Sequence, residues 1–338
     1  LLHVAIGMSV VAGLAVVPWL PWAHRRFEAW TGSGDAIHSL YFLVLPIVLL
    51  PTALFGAAFP VLVRLYAQRA SAVGHGMGIA SAVNTTGSIL ASFTVGFWWI
   101  PSLGTDATVY ILLLLDFAVA LVILALLQES RGRARSGAMI GSTLMVGTVA
   151  LSFGGIHVDD AIAGRQLPPL DAASYAQGLR EAASTRAFKH EGKTSIVTVR
   201  SAQSARLLRT NGLPEAGTLL APPYHPFTAT MLGVVPYMLA EKPERALVIG
   251  LGGGNTLYAL LQTELTEVRV VELEPAVVTA VGLLHEGRTN PLDDPRVELR
   301  TNDGRNELLL GRYRGERGFD VIASQPSHPW LLGAANLF

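Results

Sequence analysis

Residues 246–256 read ALVIGLGGGNT, and this stretch decides the fold of the second half of the chain. ALVIGL is a short apolar run typical of a buried strand, and it leads directly into Gly250, Gly252 and Gly254. Glycines are needed in such a turn because a Cβ atom would keep the backbone from approaching a bound ligand. The pattern predicts a strand, a ligand-binding turn and a helix that begins near Thr256.

The strands predicted downstream extend this pattern. Val268–Leu273 is a second apolar run that carries Glu272, about 20 residues beyond the glycines, where a carboxylate can hold two ribose hydroxyls. Val297–Thr301 leads to Asp303-Gly304, and Phe319–Ser324 leads to a polar Gln-Pro pair. Ligands of open α/β sheets bind at the carboxyl edge of the strands. The layout therefore favours a Rossmann-like, adenosine-binding domain over a purely structural repeat.

Position 255 argues against a dehydrogenase. A dinucleotide-binding turn of the form G-x-G-x-x-G would place glycine there, and this chain has Asn255. Ahead of the turn, Thr194–Arg200 alternates, and Ala205–Thr210 runs into Asn211-Gly212, which predicts a small β-region with a hairpin turn. An apolar helix is predicted over Phe227–Leu239.

The first half of the chain has the composition of a membrane protein. The chain as a whole is 51% hydrophobic and only 15% charged, whereas soluble domains carry about a quarter charged residues. A spanning helix needs roughly 20 mainly apolar residues. Five segments meet that requirement: Val4–Trp22, His38–Pro60, Met77–Ile100, Thr108–Leu127 and Gly137–Ile156. We therefore predict a multi-pass α-helical bundle in a bacterial inner membrane.

Charged residues near the spans leave two questions open. Asp116 lies in the middle of the fourth span, and an intramembrane carboxyl is either a hydrogen-bonded packing residue, which we favour, or part of a transport site. The arginines after the second and fourth spans place those loops in the cytoplasm, which would put the soluble domain outside. Adenosyl sulfonium compounds are cytoplasmic, however, so the side of the membrane stays open.

Composition also excludes several kinds of partner. The 25 basic and 25 acidic residues balance, and no basic stripe with aromatics is present, so nucleic-acid binding is not expected. The chain contains no cysteine, which rules out disulfides and thiolate metal sites. The sequence begins inside an apolar run and ends within an α/β domain, and we expect it to be a fragment of a longer protein.

Together, these motifs resemble a known family. EGKTSIVTV, ALVIGLGGGNTL, VVELEPAVV, DDPRVELRTNDGRN and FDVIASQPSHPWLLGAANLF are similar to the spermidine synthase (polyamine aminopropyltransferase) family, which has a class I methyltransferase-type fold. With LLPTALFGAAFPVLVR and NTTGSILASFTVGFWWIPSLG included, the chain resembles bacterial proteins that join a transporter-like bundle to such a domain.

The resemblance implies the following site. Gly250, Gly252 and Gly254 match the nucleoside loop, Glu272 the ribose-binding acid and Asp303 the acid that contacts the adenine amino group. The ligand implied is decarboxylated S-adenosylmethionine or S-adenosylmethionine as substrate, without a metal. The other partners implied are the lipid bilayer and a small amine or polyamine acceptor, and a homodimer stays open.

The catalytic positions depart from the family. An aspartate that follows the family's glycines is replaced by Gly253, and the two aspartates near the end of the fourth strand are replaced by Gln325 and His328. Glutamine cannot take a proton, whereas His328 is suited to act as a base near neutral pH or is a surface residue of a Pro-rich loop. Tyr224 matches the family's substrate segment loosely.

Three readings follow from these departures. The first is a membrane-anchored spermidine synthase-like transferase that alkylates an amine, with Gln325, His328 and Tyr224 as candidate catalytic residues. The second is a degenerate nucleoside-binding or assembly module, and the third is a transporter of polyamine-like solutes. We divide the chain into a membrane bundle (1–156), a linker with the β-region (157–240) and the first half of a Rossmann-like domain, incomplete at its C-terminus (241–338).

Overall fold

A computed structural model of the chain describes residues 2–32, 36–66, 73–126, 141, 171–202, 205–219 and 227–324. The chain divides into two compact units, Leu1–Ser184 and Thr185–Phe338. The described part of the first unit is helical. Its helices are α1 (Leu2–Val16), α2 (Leu20–Thr31), α3 (Ala36–Tyr66), α4 (Val73–Thr94), α5 (Ile100–Leu126) and α6 (Ala172–Ser184).

Among the described residues, three helical stretches are long and apolar enough to cross a membrane: Leu2–Thr31, Tyr41–Arg64 and Gly74–Ile123. The first two correspond to the first two predicted spans. The third merges the predicted third and fourth spans into one run of 50 residues. At 1.5 Å per residue this run would be about 75 Å long, whereas the hydrocarbon core of a bilayer is about 30 Å thick.

A kink at Gly104 explains this merger. Gly104 has φ 83° and ψ 162°, which is not helical, and a π-helical segment at Val95–Trp99 precedes it. Positive φ is readily adopted by glycine because it has no Cβ atom. The run is therefore divided near the point at which the sequence places the boundary between the two spans. The predicted fifth span lies outside the described residues except for Gly141.

Asp116 has a partner that the sequence did not predict. Its Oδ1 lies 2.6 Å from Nδ1 of His3, so the contact joins α5 to α1. Asp116 Oδ2 is buried without a hydrogen bond to the described residues. A carboxyl and an imidazole that meet between apolar helices partly satisfy each other, which fits the packing role that we favoured over transport.

Helix α6 packs on the corner between α1 and α2. Tyr175 and Leu179 of α6 are buried against Trp19 and Trp22, and the Tyr175 hydroxyl donates to the Pro18 carbonyl at 2.8 Å. Burial raises the pKa of Tyr175 to about 12. This hydroxyl therefore stays a hydrogen-bond donor at any physiological pH.

The second unit begins with a small antiparallel sheet. Its strands β1 (Arg186–Glu191), β2 (Ile196–Ala202), β3 (Ala205–Thr210) and β4 (Leu213–Leu219) pair in sequence order. Asn211 and Gly212 join β3 to β4 with φ of 51° and 81°, and two positive φ values are what a two-residue type I′ hairpin turn requires. The predicted hairpin is confirmed.

A parallel sheet with alternating helices follows. Its elements are α7 (Phe227–Leu239), β5 (Arg245–Ile249), α8 (Asn255–Leu261), β6 (Glu267–Glu272), α9 (Pro275–Leu284), β7 (Val297–Thr301), α10 (Gly304–Tyr313) and β8 (Val321–Ser324). The strand order is β7-β6-β5-β8, which is the 3-2-1-4 order of a doubly wound sheet. The predicted strands and helices of this half are confirmed to within two residues at either end.

The two faces of the parallel sheet differ in chemistry. Ala246, Val248, Val268 and Val270 point into the apolar core of this unit. The other face carries a ladder of charges, in which Arg245 bonds Glu267 and the buried Arg269 bonds Glu298. The guanidinium groups of Arg245 and Arg269 also lie 5.1 and 5.3 Å from the centre of the Phe319 ring. Alternation along the strands separates the core from this charged face.

Candidate functional site

The glycine turn after β5 has an open floor. Gly250, Gly252 and Gly254 have φ of 85°, 52° and 76°, a region that side chains other than glycine rarely enter. A Cβ atom at Gly250 or Gly252 would meet no atom of the described residues within 4 Å. The Gly250 amide donates to the Val271 carbonyl of β6 at 2.9 Å. The turn is therefore anchored to the neighbouring strand while its outer surface stays free for a ligand.

Glu272 lies against this turn. It is 8% exposed, and its Oε2 accepts from the Leu251 amide at 2.8 Å while its Oε1 accepts from the Glu274 amide at 2.9 Å. Each carboxylate oxygen has two lone pairs, so each can still accept one hydroxyl. The structure brings together the acid and the turn that the sequence predicts as partners, and ribose binding by Glu272 stays a prediction.

Asp303 begins α10 and is exposed. Its Oδ1 accepts from the Asn306 amide at 2.9 Å, which makes Asp303 the N-cap of the helix. The following glycine allows a close approach, because a Cβ atom at Gly304 would lie 2.5 Å from Cγ2 of Ile249 at the end of β5. Asp303 thus has a structural role that the sequence analysis did not include, and its adenine contact stays a prediction.

Gly253 faces the small sheet. A Cβ atom at this position would lie 2.4 Å from the Cβ atom of Ala216 on β4. An aspartate, the residue that the resemblance expects here, would therefore need β4 to move. Glycine at position 253 therefore allows β4 to pack closely against the turn, and the β-region occupies the space beside it.

His285 holds the turn from the opposite side. It is 4% exposed, and its Nε2 lies 3.0 Å from the Gly253 carbonyl. A carbonyl oxygen can only accept, so Nε2 carries the hydrogen in this contact. His285 follows α9. The turn is therefore held between the end of that helix on one side and β4 on the other.

The small sheet and α9 are joined by polar contacts. The Thr194 hydroxyl donates to Glu274 Oε2 at 2.6 Å, Thr218 donates to the Leu284 carbonyl at 3.2 Å and Arg206 pairs with Glu286 at 2.7 Å. Thr194 belongs to the segment EGKTSIVTV, and its contact with Glu274 could not be predicted from sequence spacing. The β-region is therefore a wall of the candidate site.

The three candidate catalytic residues are not placed. Tyr224, Gln325 and His328 lie outside the described residues. Within the described ranges there is no cluster of three or more His, Asp or Glu residues that would hold a metal ion. The described part of the candidate site consists of the ends of β5, β6 and β7 with the residues that follow them.

Comparison with known proteins agrees with this geometry. Residues 226–338 match the sequence model of the spermine/spermidine synthase domain. The chain is 30% identical over 109 residues to the polyamine aminopropyltransferase of Thermotoga petrophila, and 29% identical over 109 residues to that of Thermotoga maritima. Each alignment covers 32% of this chain and 36% of the relative.

The similarity to spermidine synthases is carried by residues 226–338, about a third of the chain.

The likeness is confined to part of each protein. The chain spans about a third of the length of these relatives, since 36% of each is covered. Among solved structures, it is similar to a spermidine synthase in complex with the transition-state analogue AdoDATO, with 20% identity, a TM-score of 0.36 and coverage of 42% of this chain and 47% of that one. Spermidine synthase from Thermotoga maritima gives 20% identity and a TM-score of 0.36, with 41% and 48% covered.

Proposed function

We propose that the protein is a membrane-anchored, spermidine synthase-like transferase that binds an adenosyl sulfonium donor and alkylates an amine. The observation that carries the proposal is the glycine turn with Glu272 beside it. A Cβ atom at Gly250 or Gly252 would meet none of the described residues, and Glu272 Oε2 accepts from the Leu251 amide of the turn. The family match of residues 226–338 supports the same chemistry.

The proposed reaction moves a carbon chain from sulfur to nitrogen. The amine lone pair forms a C–N bond as the C–S⁺ bond breaks, the sulfur keeps the bonding electrons as a neutral thioether, and the new ammonium loses a proton. Gln325 and His328 come directly after β8 in the sequence. We assign the proton acceptor to His328, because imidazole is a base near neutral pH, and the steadying of the amine to Gln325.

The first half supplies the membrane anchor in this proposal. The stretches Leu2–Thr31, Tyr41–Arg64 and Gly74–Ile123 meet the length and hydropathy of spanning helices. We propose that the protein resides in the bacterial inner membrane and meets its amine acceptor at the membrane surface.

Binding to the full-length protein in detergent tests the proposal. We expect 5′-methylthioadenosine and decarboxylated S-adenosylmethionine to bind by calorimetry, and a C–N-linked product to appear when a diamine such as putrescine is added. Failure of every adenosyl compound to bind at millimolar concentration would refute it. The His328→Ala variant should bind the donor normally and lose transfer.

A second reading, a degenerate nucleoside-binding module, is favoured by Gly253. The neighbouring Ala216 fills the space where a carboxylate side chain would reach the ligand. In that case the donor binds and no amine is alkylated under any condition tested. The same two assays therefore separate the enzyme from the module.

A further inference from the structure

Helix α2 differs in charge from the apolar helices on either side of it. It carries Arg25 and Arg26 next to each other and a single acid, Glu28, whose Oε1 lies 3.4 Å from Nε2 of His24. Arg26 is exposed and Arg25 is half-buried, and the Nε atom of Arg25 has no hydrogen-bond partner. Within the described ranges, no acid pairs with either arginine. The described part of the chain therefore leaves two adjacent positive charges without a counter-charge.

The lengths of the neighbouring helices place α2 at a membrane boundary, given the spanning role proposed for the first unit. Leu2–Val16 and the 3-10 turn Val17–Trp19 together measure about 28 Å, and the hydrocarbon core is about 30 Å thick. In α3 the apolar stretch begins at Tyr41, and the adjacent Phe42 stacks on Phe27 of α2 with ring centres 6.2 Å apart. Both neighbours of α2 therefore reach the end of the hydrocarbon region beside it.

Aromatic side chains mark the same level. The ring centres of Trp19 and Trp22 are 6.1 Å apart, and the ring of Tyr175 on α6 lies 5.7 Å from that of Trp19. Tryptophan and tyrosine are enriched where hydrocarbon meets the lipid headgroups. Arg25 and Arg26 come three and four positions after Trp22, so the three residues share one side of α2. The two guanidinium groups thus accompany the aromatic cluster.

We propose that Arg25 and Arg26 bind the phosphate of an anionic phospholipid in the leaflet that contacts α2. A guanidinium group matches pairs of phosphate oxygens and is more weakly hydrated than an ammonium group. The acyl chains of the lipid would lie beside the exposed ring of Phe42 at the start of the apolar stretch of α3. The inference rests on the proposed membrane anchor and adds to it the class of lipid that the corner between α1 and α2 selects.

Lipid titration of the full-length protein in detergent tests this site. Native mass spectrometry counts bound phosphatidylglycerol, which is anionic, and phosphatidylcholine, which is zwitterionic. We expect wild type to prefer phosphatidylglycerol. In the double variant Arg25→Gln/Arg26→Gln, affinity for this lipid should fall about fivefold for each arginine removed. Affinity for phosphatidylcholine should stay the same, because its choline group already compensates the phosphate charge.

Two further variants separate this site from a general effect of charge. Arg64→Gln is the matched control, because Arg64 is an exposed arginine at the opposite end of α3 from Phe42, and it should keep the wild-type affinity for phosphatidylglycerol. The pair Arg25→Lys/Arg26→Lys keeps both charges and should retain most of the preference. If the double glutamine variant does not fold, Arg26→Gln at the exposed position replaces it, with a loss of about fivefold expected.

Several outcomes would overturn the inference. These are equal affinity of wild type for the two lipids, an equal loss in Arg64→Gln, and a lysine pair as weak as the glutamine pair. Extraction with alkaline carbonate tests the membrane anchor separately. If the protein resists carbonate and binds both lipids alike, only this inference fails, whereas release by carbonate alone would remove the anchor and this inference with it.

Discussion

Glu272 has a role in the fold and a proposed role in ligand binding. It ends β6, is buried, and accepts from two backbone amides, one of which belongs to the glycine turn. Glu272→Gln keeps the shape but removes the charge and one acceptor. We expect the affinity for 5′-methylthioadenosine to fall about 10- to 100-fold, because hydrogen bonds to a charged group are stronger than neutral ones.

Glu267→Gln, on the same strand but the opposite face, is the control and should bind normally. Unchanged affinity for Glu272→Gln would place the sugar elsewhere.

His285 is the second residue whose effect on the site can be measured. Its Nε2 donates to the Gly253 carbonyl at 3.0 Å from a buried position. We expect His285→Leu to lower the affinity for adenosyl ligands about tenfold, because the turn loses its bond to the end of α9. His285→Gln places an amide donor at a similar distance and should restore most of that affinity. If both variants bind equally, the hydrogen bond does not position the turn.

At the scale of elements, β4 packs closely against the glycine turn. Gly253→Ala would bring two Cβ atoms within 2.4 Å if nothing moved. We expect this change to destabilise the second unit by about 1–3 kcal/mol, the usual range for overpacking. The double variant with Ala216→Gly should recover most of the loss, since the two positions contact each other. Thermal unfolding of the full-length protein in detergent measures both, and purely additive effects would contradict the packing account.

The ion pairs on the charged face of the parallel sheet predict that the stability of the folded state depends on pH. The hydrogen bond from Arg245 holds the pKa of Glu267 below its usual value. A carboxyl with a lowered pKa in the folded state stabilises the fold above its unfolded pKa and loses that effect as pH falls through the folded value. We therefore expect Glu267→Gln to be less stable than wild type at pH 7, and the difference to shrink as the pH falls below the usual pKa of a glutamate and to vanish below the lowered pKa of the folded state. A difference that stays constant over this range would show that the ion pair does not contribute.

At the scale of the whole molecule, the chain joins an apolar helical unit to a spermidine synthase-like unit. The three spanning-length stretches predict that the full-length protein sediments with membranes and is released by detergent but not by alkaline carbonate or high salt. A control lacking residues 1–184 should not show this behaviour, whether or not it folds. Release of the full-length protein by carbonate alone would exclude spanning helices.

The sequence by itself determined the strands and helices of the second unit and the position of the glycine turn after β5. Short apolar strands, glycines that need positive φ and the Asn211-Gly212 pair act locally, so their spacing predicts them without tertiary information. The sequence predicted two spans that end at Ile100 and resume at Thr108, whereas the structure shows one helical run with a kink at Gly104. The contacts of Ala216, His285 and His3 join residues far apart in the chain. Only the tertiary structure decided these, because a long-range contact depends on how whole elements pack and leaves no periodic signal in the sequence.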